Sequence, residues 1–359
     1  MIMKRFGIAI GTKVCSMSLF RIPLRVRSLF AIAGIPKFLF LQVTAIVFLA
    51  TFSLGQTQTA SFDANETLLD ASVKSAPTLQ MRVNEVDLSF TARDRHNRWV
   101  TDLSERDISV LDNGKPPKSI LKFQSRADLP LRVGLLIDTS DSVARQLEFE
   151  KKSAILFINQ VLKPATDSAF VVGFSNEATL RQGLTSDATA LGTAIRNLPS
   201  GGSTALYDAV HYACGKLEAS ANGQVVRRVL ILLTDGEDNS SHFYAHEVMN
   251  AALQANVVII AMNTNGEPNS SDQKYRDFKE MADVSGGIML KADSQKQVAR
   301  AFKEIQEQLR SHYFLAYKPA ELNQDGSYRK IQLKVRRRGL HIFYRHGYFA
   351  PAAVQKHEE

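Results

Sequence analysis

The sequence predicts an α/β fold over residues 128–311, with a mainly parallel central sheet flanked by helices and a small β-rich module attached. Three observations predict it. Four short apolar runs, Leu131–Ile137 (interrupted only at Arg132), Ala169–Phe174, Val229–Leu233 and Val257–Met262, have the pattern of strands buried on both faces. Segments with helical spacing of apolar residues alternate with these runs, and such alternation builds parallel sheets. Before and after this region, at 79–127 and 312–350, alternation of apolar residues and turn signals replaces helical spacing.

The first 55 residues stand apart. They carry seven bases (Lys4, Arg5, Lys13, Arg21, Arg25, Arg27, Lys37) and no acid. The chain's formal charge of +8 falls to +1 without them, so the basic excess does not describe the remainder. Phe38–Leu54 is an uncharged apolar run at the lower limit for spanning a bilayer, followed by Gly55-Gln56-Thr57. Basic flank, apolar run and small polar residues match a secretory signal peptide, and Met17 is an alternative start that keeps four of the bases. A retained membrane anchor is the other reading. Either way the basic flank stays inside and the rest is exported, to the periplasm or the exterior, or held at the inner membrane. Residues 56–78 lack periodicity and read as a linker. Two cysteines, Cys15 and Cys214, make no disulfide framework, and no C-x-x-C offers a zinc site.

In the module at 79–127, Val86, Leu88 and Phe90 keep a period of two, Asp94 to Asn97 is turn chemistry, and Ile108, Val110 and Ser119–Phe123 mark short strands. Asp112-Asn113-Gly114 is a hairpin signal. The segment is too short for a full sandwich, so it is a minimal β-domain or a sheet completed from elsewhere. In the α/β region, Leu147, Ile155, Ile158 and Leu162 mark one face of a helix at about 143–162. Ala178–Leu184 reads as a hairpin partner, 188–198 as a helix, Gly201-Gly202 as a break and Thr204–Ala219 as a helix. Further helices are expected at 245–254, 272–284 and 295–310, with a short strand at Gly287–Leu290. Tyr313–Tyr317, Ile331–Val335 and His341–Tyr344 return to β, with Asp325-Gly326 as a turn, and 351–359 is a tail.

Ligands of open α/β sheets bind beyond the carboxyl ends of the strands. Leu131–Ile137 runs into Asp138-Thr139-Ser140-Asp141-Ser142, and Leu230–Leu233 into Thr234-Asp235-Gly236. Between them Gly201-Gly202-Ser203-Thr204 opens a helix. Asp138, Ser140, Ser142, Thr204 and Asp235 are hard oxygen donors of the kind that suits Mg²⁺ or Mn²⁺. Each also has an ordinary structural reading: Ser140, Ser142 and Thr204 as helix N-caps, Asp235-Gly236 as a turn.

This combination resembles the von Willebrand factor A domain and its metal-ion-dependent adhesion site. The flanking text is similar to a bacterial family of VWFA-related domain proteins first described in Acidobacteria: V-x-D-N-G-K at Val110–Lys115, G-G-S-T-A-L-Y-D-A at Gly201–Ala209, L-L-T-D-G-E-D at Leu232–Asp238 and R-H-G-Y at Arg345–Tyr348. The resemblance implies a Rossmann-like domain. In it Asp138 and Asp235 would meet the cation directly or through water, and Ser140, Ser142 and Thr204 would give hydroxyl oxygens. A protein partner's carboxylate would fill the last position. Asp141 stands where that family often has glycine.

The function expected is therefore non-enzymatic protein binding through Mg²⁺ or Mn²⁺. A Mg²⁺-dependent, phosphatase-like hydrolase using Asp138 is an alternative, although Ser140 stands where such an enzyme has its second acid. A metal-free scaffold is another. His242 and His246 read as surface residues, Gly173–Glu177 as an incomplete nucleophile elbow and Arg336-Arg337-Arg338 as a solvated turn. No nucleic-acid partner is expected, and the membrane enters only through the N-terminal segment.

Overall fold

The structure, a computed structural model, describes residues 85–125, 128–220, 224–265, 272–321 and 323–352. The leader, the linker, the module's residues before 85 and nearly all of the tail lie outside the described residues.

The chain begins with β1 (Val86–Arg93), which buries Val86, Leu88, Phe90 and Ala92 on one face. The Asp94 carboxylate accepts the His96 and Arg98 amides in a turn to β2 (Trp99–Val100), antiparallel to β1. Next come β3 (Ile108–Asp112) and β4 (Ser119–Ser125). The expected turn forms between them, with Asn113 at φ 48° and Gly114 at φ 83°. It is not a hairpin: β3 and β4 lie in different sheets. The reason is Pro116-Pro117, which has no amide hydrogens to extend a ladder beyond the single Asp112–Lys115 bridge.

The α/β region follows as β5 (Leu131–Asp138), α1 (Ala144–Val161), β6 (Ser168–Phe174), β7 (Ala178–Thr185), α2 (Ala188–Arg196) and α3 (Leu206–Ala219). It continues with β8 (Arg227–Thr234), α4 (Ala245–Gln254), β9 (Val257–Asn263), α5 (Gln273–Ser285), β10 (Met289–Lys291) and α6 (Gln295–Arg310). The sheet order is β10-β9-β8-β5-β6-β7, parallel except for β7, which runs antiparallel to β6. Helices α1, α2 and α6 cover one face and α3, α4 and α5 the other. The buried stripe of α1 is Leu147, Ala154, Phe157, Ile158 and Val161, so the expected Ile155 and Leu162 sit at its flank. Helix α3 starts at Leu206, with Ala205 at its N-cap position; Thr204 is neither helical nor a cap.

The tail forms β11 (Tyr313–Lys318), β12 (Tyr328–Val335), β13 (His341–Tyr344) and β14 (Gly347–Phe349), the last not expected. The Asp325 turn separates β11 from β12, which enter different sheets. One sheet runs β13-β1-β11-β4 with β2 attached to β1, and the other runs β14-β12-β3. Both feed one core that includes Leu88, Phe90, Tyr313, Leu315, Ile331 and Leu333. The buried Asp112 joins the two sheets by accepting the hydroxyls of Tyr317 (2.8 Å) and Tyr348 (2.9 Å). The early strands are thus completed by strands from the far end of the chain. Arg337 of the basic cluster pairs with Asp102 through both guanidinium nitrogens.

This module meets the α/β region along α5 and α6. Arg93 stacks 4.1 Å over Trp99 and pairs with Glu304 of α6. His346 N–H donates to Val284 O at 2.9 Å. Gly286 ends α5 at φ 83°, and a Cβ there would lie 2.5 Å from the backbone of Tyr344 and Arg345. Gly286→Ala is therefore expected to lower stability by about 1–3 kcal/mol. Gly215, within α3 and facing open space, is the control: Gly215→Ala should raise stability by about 0.5–1 kcal/mol. Urea midpoints of the two variants should move in opposite directions, and equal shifts would refute the steric account.

Candidate metal centre

Strand β5 is covered on both faces, so its side chains stay apolar from Val133 to Ile137 and the first acid comes at its end. That acid is Asp138, fully buried. Its Oδ1 accepts the Ser140 amide at 2.9 Å and its Oδ2 accepts the Thr234 hydroxyl at 2.6 Å. Gly236 N–H donates to the Thr234 oxygen at 3.1 Å, which turns the hydroxyl hydrogen toward Asp138. Each carboxylate oxygen is thus oriented by one bond and keeps further acceptor capacity. Burial pushes the Asp138 carboxyl above the usual carboxylate range; the Thr234 and Ser140 hydrogen bonds oppose this, and the charge of Asp235 adds to it.

The hydroxyls of Ser140 and Ser142 converge to 3.1 Å. Neither is a cap: Ser140 precedes the short 3-10 turn Asp141–Val143 without a side-chain cap bond, and Val143 occupies the N-cap position of α1. The second loop is tied to the first by Gly201 N–H to Thr139 O (2.7 Å) and Asp141 N–H to Gly202 O (3.1 Å). Gly202 has φ 102°, and a Cβ on it would stand 2.6 Å from Asn176 Oδ1. Asn176 needs that approach, since it accepts both the amide and the hydroxyl of Ser203 at 2.7 Å.

The third loop is tied to the second. The buried Thr204 donates its amide to Asn239 Oδ1 at 2.8 Å, and its carbonyl accepts the Asn239 and Ser240 amides. Asp238 accepts the Leu206 amide at 2.8 Å and the Ser241 hydroxyl at 2.5 Å, capping α3 from another loop. The half-buried Asp235 accepts the Glu237 amide at 3.1 Å.

Asp138, Ser140 and Ser142 therefore share one turn, with Thr204 and Asp235 on two loops bonded to it or to each other. Among the described residues no three His, Cys, Asp or Glu side chains gather as a metal-binding group. The donor set here is instead two carboxylates and three hydroxyls, which fits a hard divalent cation. A cleft of about 690 Å³ opens beside it, lined in part by Asp141, Ser142, Arg145, Gln146 and Asp293.

A family model described as the von Willebrand factor type A domain matches residues 133–308. Residues 133–308 are a von Willebrand factor type A domain. None of the curated proteins matches the chain. Solved structures similar to it include a von Willebrand factor type A protein from Catenulispora acidiphila, at 12% identity and a TM-score of 0.44 over 76% of this chain and 75% of that one. The BatB protein of Bacteroides thetaiotaomicron is 21% identical, with a TM-score of 0.39 over 50% of this chain and 100% of that one. Proximal thread matrix protein 1 of the mussel byssus, whose structure carries a zinc-occupied MIDAS motif, is 19% identical, with a TM-score of 0.43 over 53% of this chain and 47% of that one.

Several residues that serve the site of this von Willebrand factor type A domain are absent from the expected set. Asn176, Asp238 and Asn239 brace the loops; Asp238 falls inside a quoted family motif, and Asn176 inside the incomplete nucleophile elbow Gly173–Glu177. Glu150 interrupts the apolar stripe of α1 between Leu147 and Ala154, a break visible in the sequence. It is fully buried, and neither carboxyl oxygen has a hydrogen-bond partner among the described residues. Burial, then the charges of Asp138 and Asp235, push it up to about 8. Other candidates stay outside the site. His242 precedes α4 rather than lying on it, and its exposed ring meets Asp208 at 2.8 Å. Cys214 is buried in α3.

Glu150 and Asp138 both hold protons more tightly folded than unfolded. Their contribution to stability is complete below the unfolded values and is lost as pH rises through the folded ones. For Glu150 the window runs from 4.5 to about 8. In EDTA, stability should fall across it by about 1.4 kcal/mol per pH unit for each acid titrating there. Glu150→Gln should flatten that fall in chemical denaturation at stepped pH; an unchanged slope would contradict the assignment.

Proposed function

We propose that this chain is an exported protein that binds a protein partner through a divalent cation, Mg²⁺ or Mn²⁺, held by Asp138, Ser140, Ser142, Thr204 and Asp235. The observation that carries the reading is the turn after β5. Asp138 is buried and oriented by Thr234 and Ser140, while the Ser140 and Ser142 hydroxyls converge beside it. When bound, the cation supplies a positive charge with a position open to a partner's carboxylate. Asp138 and Asp235 anchor it, and the three neutral hydroxyls complete the protein's donors without cancelling more of its charge. The partner's neighbouring groups enter the cleft beside Arg145 and Asp293. Export is supported by the basic residues up to Lys37 followed by the apolar run Phe38–Leu54.

Fluorimetric melting tests the metal. Either Mg²⁺ or Mn²⁺ should stabilise EDTA-treated protein, by about 2.7 kcal/mol at a hundredfold excess over Kd, and Ser140→Ala should weaken the response. Capture from envelope extracts tests the partner: retention should require the cation, fail in EDTA and fail for Ser140→Ala. Arg145→Glu should lower capture while leaving the melting response to metal intact. No response of the wild type to either cation would overturn the proposal.

A further inference from the structure

Helix α1 carries an acid that the loop motifs leave out. Gln146, one turn before Glu150, donates from Nε2 to Thr264 O at 2.9 Å, which sets this part of α1 against the C-terminal edge of the sheet. Asp138 lies at that edge. Glu150 faces inward on the next turn, fully buried, with both carboxyl oxygens unpartnered among the described residues. Neither oxygen is hydrogen-bonded to Asp138 or Asp235, although both charges act on it.

Among the described residues no base offsets Glu150. Lys151, its neighbour, turns away to Glu148 Oε1 (2.8 Å) and Leu198 O (2.9 Å). The core residues that α2 and α6 contribute on this side of the sheet include Leu191, Ile195, Val298 and Ala301, which carry no charge. From the sheet, Ile137, Leu233 and Met262 are likewise apolar. An ionised carboxylate in such surroundings needs a compensating charge, and without one it stays protonated. The cation site is where compensation would arise, because the two acids that act on Glu150 are the two that would hold the metal.

We propose that Glu150 is the inner acid of the metal site, releasing its proton when Asp138 and Asp235 hold a divalent cation, so that cation uptake and proton release are linked. The O–H bond of the Glu150 carboxyl breaks, its electron pair remains on the carboxylate and the proton passes to buffer. Glu150 acts at a distance, as a positioning and charge-balancing residue and not as a ligand. This inference rests on the metal reading of the site.

The test is calorimetric titration of the full chain with Mn²⁺ at pH 7, in buffers of different ionisation enthalpy, for the wild type and Glu150→Gln. The wild type should release protons on binding, and Glu150→Gln should bind Mn²⁺ while releasing up to one proton fewer. Wild-type Mn²⁺ affinity should also rise with pH between about 6 and 8, approaching tenfold per pH unit for one linked proton, with a shallower rise in the variant. Equal proton release by both proteins would overturn the inference and leave the metal reading standing. Absence of Mn²⁺ and Mg²⁺ binding by the wild type would overturn the metal reading itself, and the inference with it. Should Glu150→Gln fail to fold, infrared difference spectra of the wild type decide: loss of a protonated buried carboxyl band on Mn²⁺ addition supports the proposal, and an unchanged band refutes it.

Discussion

Carboxyl groups withdrawn from water without a base beside them are the constraint around which this domain is built. Asp138 and Glu150 are both fully buried, and the interactions that move their proton affinities include no lysine, arginine or histidine. Amides and hydroxyls take the place of bases at Asp138, where Ser140 N–H and the Thr234 hydroxyl donate to the two carboxylate oxygens. Such donors orient a carboxylate and offset part of its desolvation, but they supply no net charge. A fold that keeps acids in this condition has left a place for a cation to be worth more than it would be at an exposed carboxylate.

Topology decides which loops meet. In the parallel order β9-β8-β5-β6, strands β5 and β8 are neighbours, so their ends bring Asp138 beside Thr234 and the Asp235 turn. The glycine loop comes from the connection between α2 and α3 and has no strand to place it. Its position depends on backbone bonds to Thr139 and Asp141 and on Asn176 gripping Ser203. Both glycines of the loop have positive φ, and Gly202 in addition admits the close approach of Asn176 that the Ser203 bonds require. The three loops are consequently a mutually bonded set, and a change in any one is felt by the other two.

The legible parts of the molecule were those governed by local pattern. The buried runs of β5, β6, β8 and β9 and the helices between them follow from periodicity alone, and the five candidate donors follow from their place at strand ends and helix starts. What pattern did not disclose depends on partners distant in sequence. Nothing near Asp112-Asn113-Gly114 announces that β3 will pair with β12 and β4 with β11, more than 180 residues on. Three-residue β14 is too short to show a period. Asn176 stands in a stretch weighed only as an incomplete nucleophile elbow, and neither it nor Asn239 discloses that it will hold Ser203 or Thr204. Thr204 looked like a cap because it precedes a helix, yet Asp238 from another loop performs the capping. Glu150 was visible as a break in an apolar stripe, but its meaning depended on which strand ends lay beneath it.

The same topology accounts for the two arginines at the start of β8. Because the parallel strands run toward the site, the helices between them run back, turning their N-termini to the acid edge and their C-termini to the opposite one. Each helix end carries roughly half a charge, positive at the N-terminus and negative at the C-terminus. At the opposite edge stand Arg227 and Arg228, at the start of β8. Arg227 donates to Leu309 O near the end of α6 at 2.9 Å. Arg228 donates to Leu217 O near the end of α3 and to Ala255 O at the end of α4, both at 3.0 Å. Burial pulls the Arg227 guanidinium down to about 9, yet the Leu309 carbonyl, and no carboxylate among the described residues, receives it. Arg227 and Arg228 are therefore matched to the helix C-termini they face, while the buried Asp167 at the same edge is held by the Leu131 and Lys163 amides. The chain's basic excess lies in its first 37 residues, and the arginines at the start of β8 are met by carbonyls at helix C-termini, at the edge of the sheet away from the candidate metal site.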